Sequence, residues 1–440
     1  MASMVYSSTR GDLTEVSLSE AIGRGLAPDG GLYVPRQLPS IDAAALGATA
    51  LQGQPGLPAL ARVALRGFFE GDRLQPRLGE IADAALDLPA PTTAIDAAPD
   101  PLFALELYHG PTAAFKDFGA RFLAESLERM RAPQDERLTI LVATSGDTGG
   151  AVAAAFHRRP WVRVVILYPK GLVSPRQEQQ LTCWGDNVES LRVAGTFDDC
   201  QRLVKEAFVD PALGRRHRFS SANSINIGRL LPQMVYYVAS SLEVRRSTGR
   251  AANYVIPAGN LGNAFAAIWA RELGLPIERI VLAHNANRTV PDFLATGEWR
   301  PRPSVATLAS AMDVGNPSNM ERVRAMFPAF ATLRGRIGAA SIDDAAIRAR
   351  IVADHRRFGR VWCPHTAAAA EVYARLSADE RAGRPWVLVA TAHPAKFNEI
   401  VEPLVGAPIE VPESLARLLS LPRQVNDIEP TLGALAAAIA

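Results

Sequence analysis

The chain has 440 residues, 48% hydrophobic and 21% charged, enough for two or three domains around a sizeable core. A net charge of +2 with acids and bases interspersed excludes the basic stripe of a nucleic-acid binder and the polybasic segment of a lipid binder; a small molecule is the expected partner, with the chain as monomer or homodimer. A polar start, no apolar run of membrane-spanning length and three scattered cysteines without a C-x-x-C pair predict a cytoplasmic protein lacking disulfides and zinc.

In chain order, helical patterns at 18–24, 42–50 and 60–70, separated by Gly/Pro-rich loops at 52–56 and 88–91, predict a mostly helical N-terminal domain over 1–98. From about residue 100, short apolar runs alternate with helical stretches, the pattern of a doubly wound α/β protein. Strands at 102–107, 138–144, 161–168 and 188–193 are each followed by a helix, at 117–130, 148–158, 177–184 and 197–208. A long helix at 229–246 precedes strands at 254–257, 279–283 and 386–390, with helices at 264–273 and 396–404. The Pro-, Asn- and Arg-rich stretch 285–303 reads as loop, and 431–440 as a short helix or frayed tail.

Of 47 basic residues only four are lysines, Lys116, Lys170, Lys205 and Lys396. A lysine amine can form a Schiff base, which arginine cannot, so a position needing that chemistry must keep its lysine. Lys116 is the best candidate: it lies between Phe115 and Phe118 and just before Asp117, which can cap the following helix, and aromatic cover favours the neutral amine. Lys205 reads as a solvated helix residue, and His365, after Pro364, as a helix start.

Three strand-loop-helix junctions are built like anion cradles. Thr144, Ser145, Gly146, Asp147 and Thr148 form the first, with neither the Gly-Lys-Ser/Thr of a nucleotide P-loop nor a G-x-G-x-x-G; a plain helix cap is an equal reading. Gly259, Asn260, Leu261, Gly262 and Asn263 offer donors and no acid, which suits a phosphate dianion, although a tight βα turn uses the same glycines. Asn223 and Ser224 precede Arg229 at a helix start, a set that could clamp a second phosphate. Thr391, at a strand end before His393 and Lys396, can donate to a buried ring nitrogen without imposing a charge, or cap the helix after Pro394.

In this order, HGPTAAFKDFG (109–119), TSGDTGG (144–150), NSINIGRLLPQ (223–233), PAGNLGN (257–263), LASAMDVGNPSN (308–319) and TAHPAKF (391–397) closely resemble the long bacterial and fungal threonine synthases, pyridoxal-phosphate enzymes of fold type II, the tryptophan synthase β-like fold. The resemblance implies a large cofactor-binding α/β domain over 99–135 and 215–430 and a small α/β domain over 136–214. It also implies that Lys116 holds pyridoxal 5'-phosphate as a Schiff base, that residues 259–263 bind the cofactor phosphate, that Thr391 meets the pyridine nitrogen and that Asp147 lies near the 3-hydroxyl. Asn223, Ser224 and Arg229 would then bind the phosphate of O-phospho-L-homoserine, and Thr144, Ser145 and Thr148 its carboxylate. The implied reaction makes L-threonine and phosphate from O-phospho-L-homoserine and water; the rivals are a phospho-lyase on the same fold and a silent cofactor carrier.

Overall fold

A computed structural model describes residues 3–51, 56–97, 100–132 and 134–440; most of the loop expected at 52–56, and the expected domain boundary at 98/99, lie outside the described residues. Two largely parallel sheets organise the chain. The larger has six strands in the order Gly338–Ser341, Ile277–His284, Ala252–Pro257, Trp386–Ala390, Leu102–Glu106 and Thr92–Asp96, all parallel except the edge strand Thr92–Asp96. The smaller has five parallel strands: Asn426–Ile428, Val188–Val193, Val162–Pro169, Leu138–Ala143 and Arg218–Ser221. Helices cover both faces, so central strands such as Trp386–Ala390 and Leu138–Ala143 are buried throughout and read as apolar runs, broken only by Thr139, instead of alternating ones.

The smaller sheet takes in strands on both sides of the expected 136–214 unit, because Arg218–Ser221 and Asn426–Ile428 pair into it. The C-terminal segment is a helix, Leu432–Ala438, whose Leu435 is fully buried against Leu203 and the smaller sheet. Two further expectations are corrected. The stretch 285–303 contains the helix Thr289–Thr296, whose Val290, Phe293 and Leu294 pack into the core; its Pro and Asn content had masked a short apolar periodicity. Asp117 does not cap the helix Lys116–Met130: its carboxylate accepts the Thr112 amide (2.9 Å) and hydroxyl (2.7 Å), tying down the preceding loop.

Near the N-terminus, Tyr6–Ser8 pairs with Tyr33–Pro35, and the helix Leu18–Arg24 starts with a Ser17/Glu20 capping box. The helices Leu57–Ala64 and Leu78–Ala85 pack on Ile227–Thr248 and Lys116–Met130, continuing the core of the larger sheet.

Candidate active site

Strand order explains why segments far apart in sequence converge. Ala252–Pro257, Trp386–Ala390 and Leu102–Glu106 are neighbours in the larger sheet, so the loops after their carboxyl ends, bearing residues 259–263, Thr391 and Lys116, emerge side by side. Leu138–Ala143 and Arg218–Ser221 are neighbours in the smaller sheet and deliver Thr144 to Thr148 and Asn223 to Arg229 to the facing wall. Every residue to which the resemblance gives a role in the site lines the same cleft, of about 580 Å³.

The loop carrying Lys116 is latched to the one carrying Thr391. The Phe115 amide donates to the Thr391 carbonyl (2.8 Å), His393 N to the Ala113 carbonyl (3.0 Å), and Ala114 bridges Ala392. Gly110 must be glycine, since a Cβ there would collide with the Asp117 carboxylate. Lys116 is half-buried at the cleft floor, 5.7 Å from the Phe115 ring centroid, and desolvation, with help from the charges of Arg229 and Lys396, lowers its amine to about 8.

Lys396 is fully buried: its Nζ lies 2.8 Å from Asp147 Oδ1 and donates to the Thr112 carbonyl at 2.8 Å. Asp147 Oδ1 also accepts from Gln177 Nε2 (3.0 Å). Burial pushes the Asp147 carboxyl up, but the positive charges of Lys396 and Lys116 outweigh this and hold it well below the usual carboxylate range. This pair spans the two sheets' loops, Asp147 following Leu138–Ala143 and Lys396 following Trp386–Ala390. Thr391 is not the helix cap; His393 Nδ1 accepts from the Ala395 amide (3.2 Å), which frees the Thr391 hydroxyl.

On the opposite side, Leu261 sits at φ 60°, a left-handed conformation that aims the start of the helix Gly262–Glu272 at the cleft. A Cβ on Gly259 would come within 2.8 Å of Met312 Cα, so only glycine lets this loop lie against the 311–312 backbone. Asn263 Oδ1 accepts from Tyr236 (2.6 Å) and Tyr237 (2.8 Å), while its Nδ2 is a buried donor without a protein acceptor among the described residues. Thr144 Oγ1 accepts the Gly146 and Gly149 amides, both at 3.0 Å, bracing the first cradle. Arg229 is 2% exposed, donates through Nη1 to the Ala222 carbonyl and has no partner for Nε among the described residues; burial lowers its guanidinium to about 10.

Sequence reasoning missed His365, which lines the cleft from the start of the helix Pro364–Ala374. Its Nε2 accepts the Ala311 amide (3.1 Å), Nδ1 lacks a partner among the described residues, and burial lowers the imidazole to about 4, keeping it neutral. A lone histidine after proline carries no signal that would have revealed this. Exposed Lys205 also borders the cleft mouth.

A carbonyl-bearing, phosphorylated cofactor fits these residues: a depressed lysine amine, a glycine cradle pressed against backbone, and the buried orphan donor on Asn263. The profile described as "Pyridoxal-phosphate dependent enzyme" matches residues 86–392, flanked by "Threonine synthase N terminus" over 5–86 and "Threonine synthase, C-terminal" over 366–439. Threonine synthase of Escherichia coli strain K12 is 39% identical over 423 residues, 96% of each chain. The chain belongs to the threonine synthase family. The crystal structure of the Escherichia coli threonine synthase superposes with a TM-score of 0.90, at 36% identity over 99% of both chains. That of the PLP-bound threonine synthase from Brucella melitensis gives 0.88 at 33% identity, again over 99% of both. Family membership thus accords with the α/β fold and with pyridoxal phosphate as the cofactor.

Proposed function

We propose that this chain is a threonine synthase acting on O-phospho-L-homoserine, with phosphate leaving from Cγ, hydroxide added from water at Cβ, and a proton ending on Cγ. The observation that carries the reading is one cleft holding a depressed lysine amine between two separate sets of anion donors.

Pyridoxal phosphate, bound to Lys116, supplies an electron sink for the negative charge that develops on substrate carbons. Residues 259–263 would hold its phosphate with loop amides and Asn263 Nδ2, at the start of the helix Gly262–Glu272. Thr391 would meet the ring nitrogen with a hydroxyl, which offers no fixed charge to stabilise a pyridinium. Asp147, kept ionised by Lys396, would face the 3-hydroxyl side. Lys116 would hold and move protons on Nζ between the substrate's Cα, Cβ and Cγ, since an amine near 8 both takes and returns a proton at neutral pH. Thr144, Ser145 and Thr148 hold the substrate carboxylate, and Asn223, Ser224 and Arg229 its phosphate, the guanidinium meeting the dianion.

The division into an N-terminal unit, a large cofactor domain and a small domain belongs to the same reading, as does a cytoplasmic small-molecule enzyme, monomer or homodimer, that binds neither nucleic acid nor membrane. Among the described residues no helix is long and apolar enough to cross a membrane. Incubating purified, cofactor-loaded protein with O-phospho-L-homoserine and identifying the products tests it: threonine and phosphate are expected. Stoichiometric 2-oxobutyrate and ammonia would make the protein a phospho-lyase, and no consumption a silent carrier.

A further inference from the structure

We propose that the Asn260 side chain is a positioning residue that aims the Ser224 hydroxyl at the substrate phosphate and so couples the two anion loops; this rests on the site reading above. Asn260 Oδ1 accepts the Ser318 amide at 2.6 Å. A backbone N–H can only donate, so this contact fixes which way the amide faces and turns Nδ2 toward Ser224 Oγ, 2.7 Å away. Its Oδ1 and one of its two Nδ2 hydrogens are thereby committed to protein partners, which ties the side chain between the two loops.

The effect on Ser224 is directional. Its oxygen is an acceptor for Asn260, and no protein acceptor for its own proton is found among the described residues, so the hydroxyl donates into the cleft it lines. Phosphate oxygens accept only, and a serine pointing its lone pairs at them would repel them. The assembly is held from behind by Asn319, fully buried, whose Nδ2 donates to the Asn260 carbonyl (2.9 Å) and the Ser224 carbonyl (3.3 Å). Buried Arg322 donates to Asn319 Oδ1 and to the Ile225 carbonyl. The loops also touch directly: a Cβ on Gly262 would meet Ser224 Cβ at 3.3 Å. This gives the 308–319 segment a part in the site, as the brace that joins both loops.

The test uses the holoenzyme and the cofactor-depleted protein side by side. Asn260→Ala should raise KM for O-phospho-L-homoserine about 10-fold, the worth of one hydrogen bond to a charged group, with a smaller change in kcat. The Kd for pyridoxal phosphate, from fluorescence titration of the depleted protein, should stay within about twofold. Ser224→Ala should match it, and the double variant should be no worse than either single one, since the two residues act as a unit. Asn260→Asp, similar in shape, keeps the acceptor for Ser318 but draws the Ser224 proton back to its carboxylate, and should raise KM at least as much. Loss of cofactor affinity in Asn260→Ala equal to its loss of substrate affinity, or additive losses in the double variant, would overturn the coupling. A wild-type protein that does not consume O-phospho-L-homoserine would instead remove the site reading, and the coupling with it.

Discussion

Two lysines lie on loops that are latched together, yet their surroundings differ in kind. Lys396 is sealed from solvent and held by Asp147 and the Thr112 carbonyl, so its charge is matched where it sits. Lys116 opens onto the cleft with an aromatic ring beside it and no carboxylate in contact, and its amine drops to about 8. Burial by itself does not make a lysine nucleophilic; burial without a contacting counter-ion does. Asp147 links the two, since the charge it neutralises on Lys396 is one that would otherwise press the Lys116 amine lower still.

The largest effect expected is from the unpaired lysine: Lys116→Ala should abolish turnover of O-phospho-L-homoserine, a loss of at least about 10³-fold in kcat. The paired lysine should act on stability first. Lys396→Met leaves the Asp147 carboxylate buried without its partner and should cost about 3–5 kcal/mol by denaturant titration, whereas Lys396→Met with Asp147→Asn should recover most of it. Failure of the double variant to recover would mean that the pair is not an isolated charge couple. Arg229→Ala should lower kcat/KM for the phosphorylated substrate by an amount equivalent to about 2–5 kcal/mol while cofactor content and absorbance stay near normal. Loss of cofactor would place Arg229 on the wrong phosphate.

The smallest effect is on pH dependence. With the Lys116 amine lowered from 10.5 to about 8, the unfolded chain binds more protons than the folded one between these values, so stability of the cofactor-free protein should rise with pH across that window. Lys116→Met should remove the rise, melting a few degrees higher than wild type below pH 8, with the gap closing towards pH 10.5, as followed by calorimetry.

Much of this was legible in the sequence because the central strands and the glycine loops carry local signals. The run at 386–390 is apolar throughout, that at 188–193 is framed by Val188, Leu191 and Val193, and the bounds of both were read to the residue. Lys116 stood out by scarcity and aromatic neighbours. What stayed hidden depends on pairing across the fold. The strand Arg218–Ser221 is short and polar at one end, and exists because Leu138–Ala143 offers it an edge. Lys396 and Asp147 are far apart in sequence, and nothing local to either signals that strand order pairs them. His365 carries no local signal at all. Ser224 and Asn260 were read as independent ligands, since their mutual hydrogen bond and the bracing by Asn319 are invisible without coordinates.

Borohydride reduction of the cofactor-loaded protein, followed by proteolysis and peptide mapping, tests the distinction between the two lysines most directly, because it fixes the cofactor to whichever amine holds it. The pyridoxyl tag is expected on Lys116 alone. A tag on Lys396 would show that the ion-paired lysine is the reactive one and contradict the account.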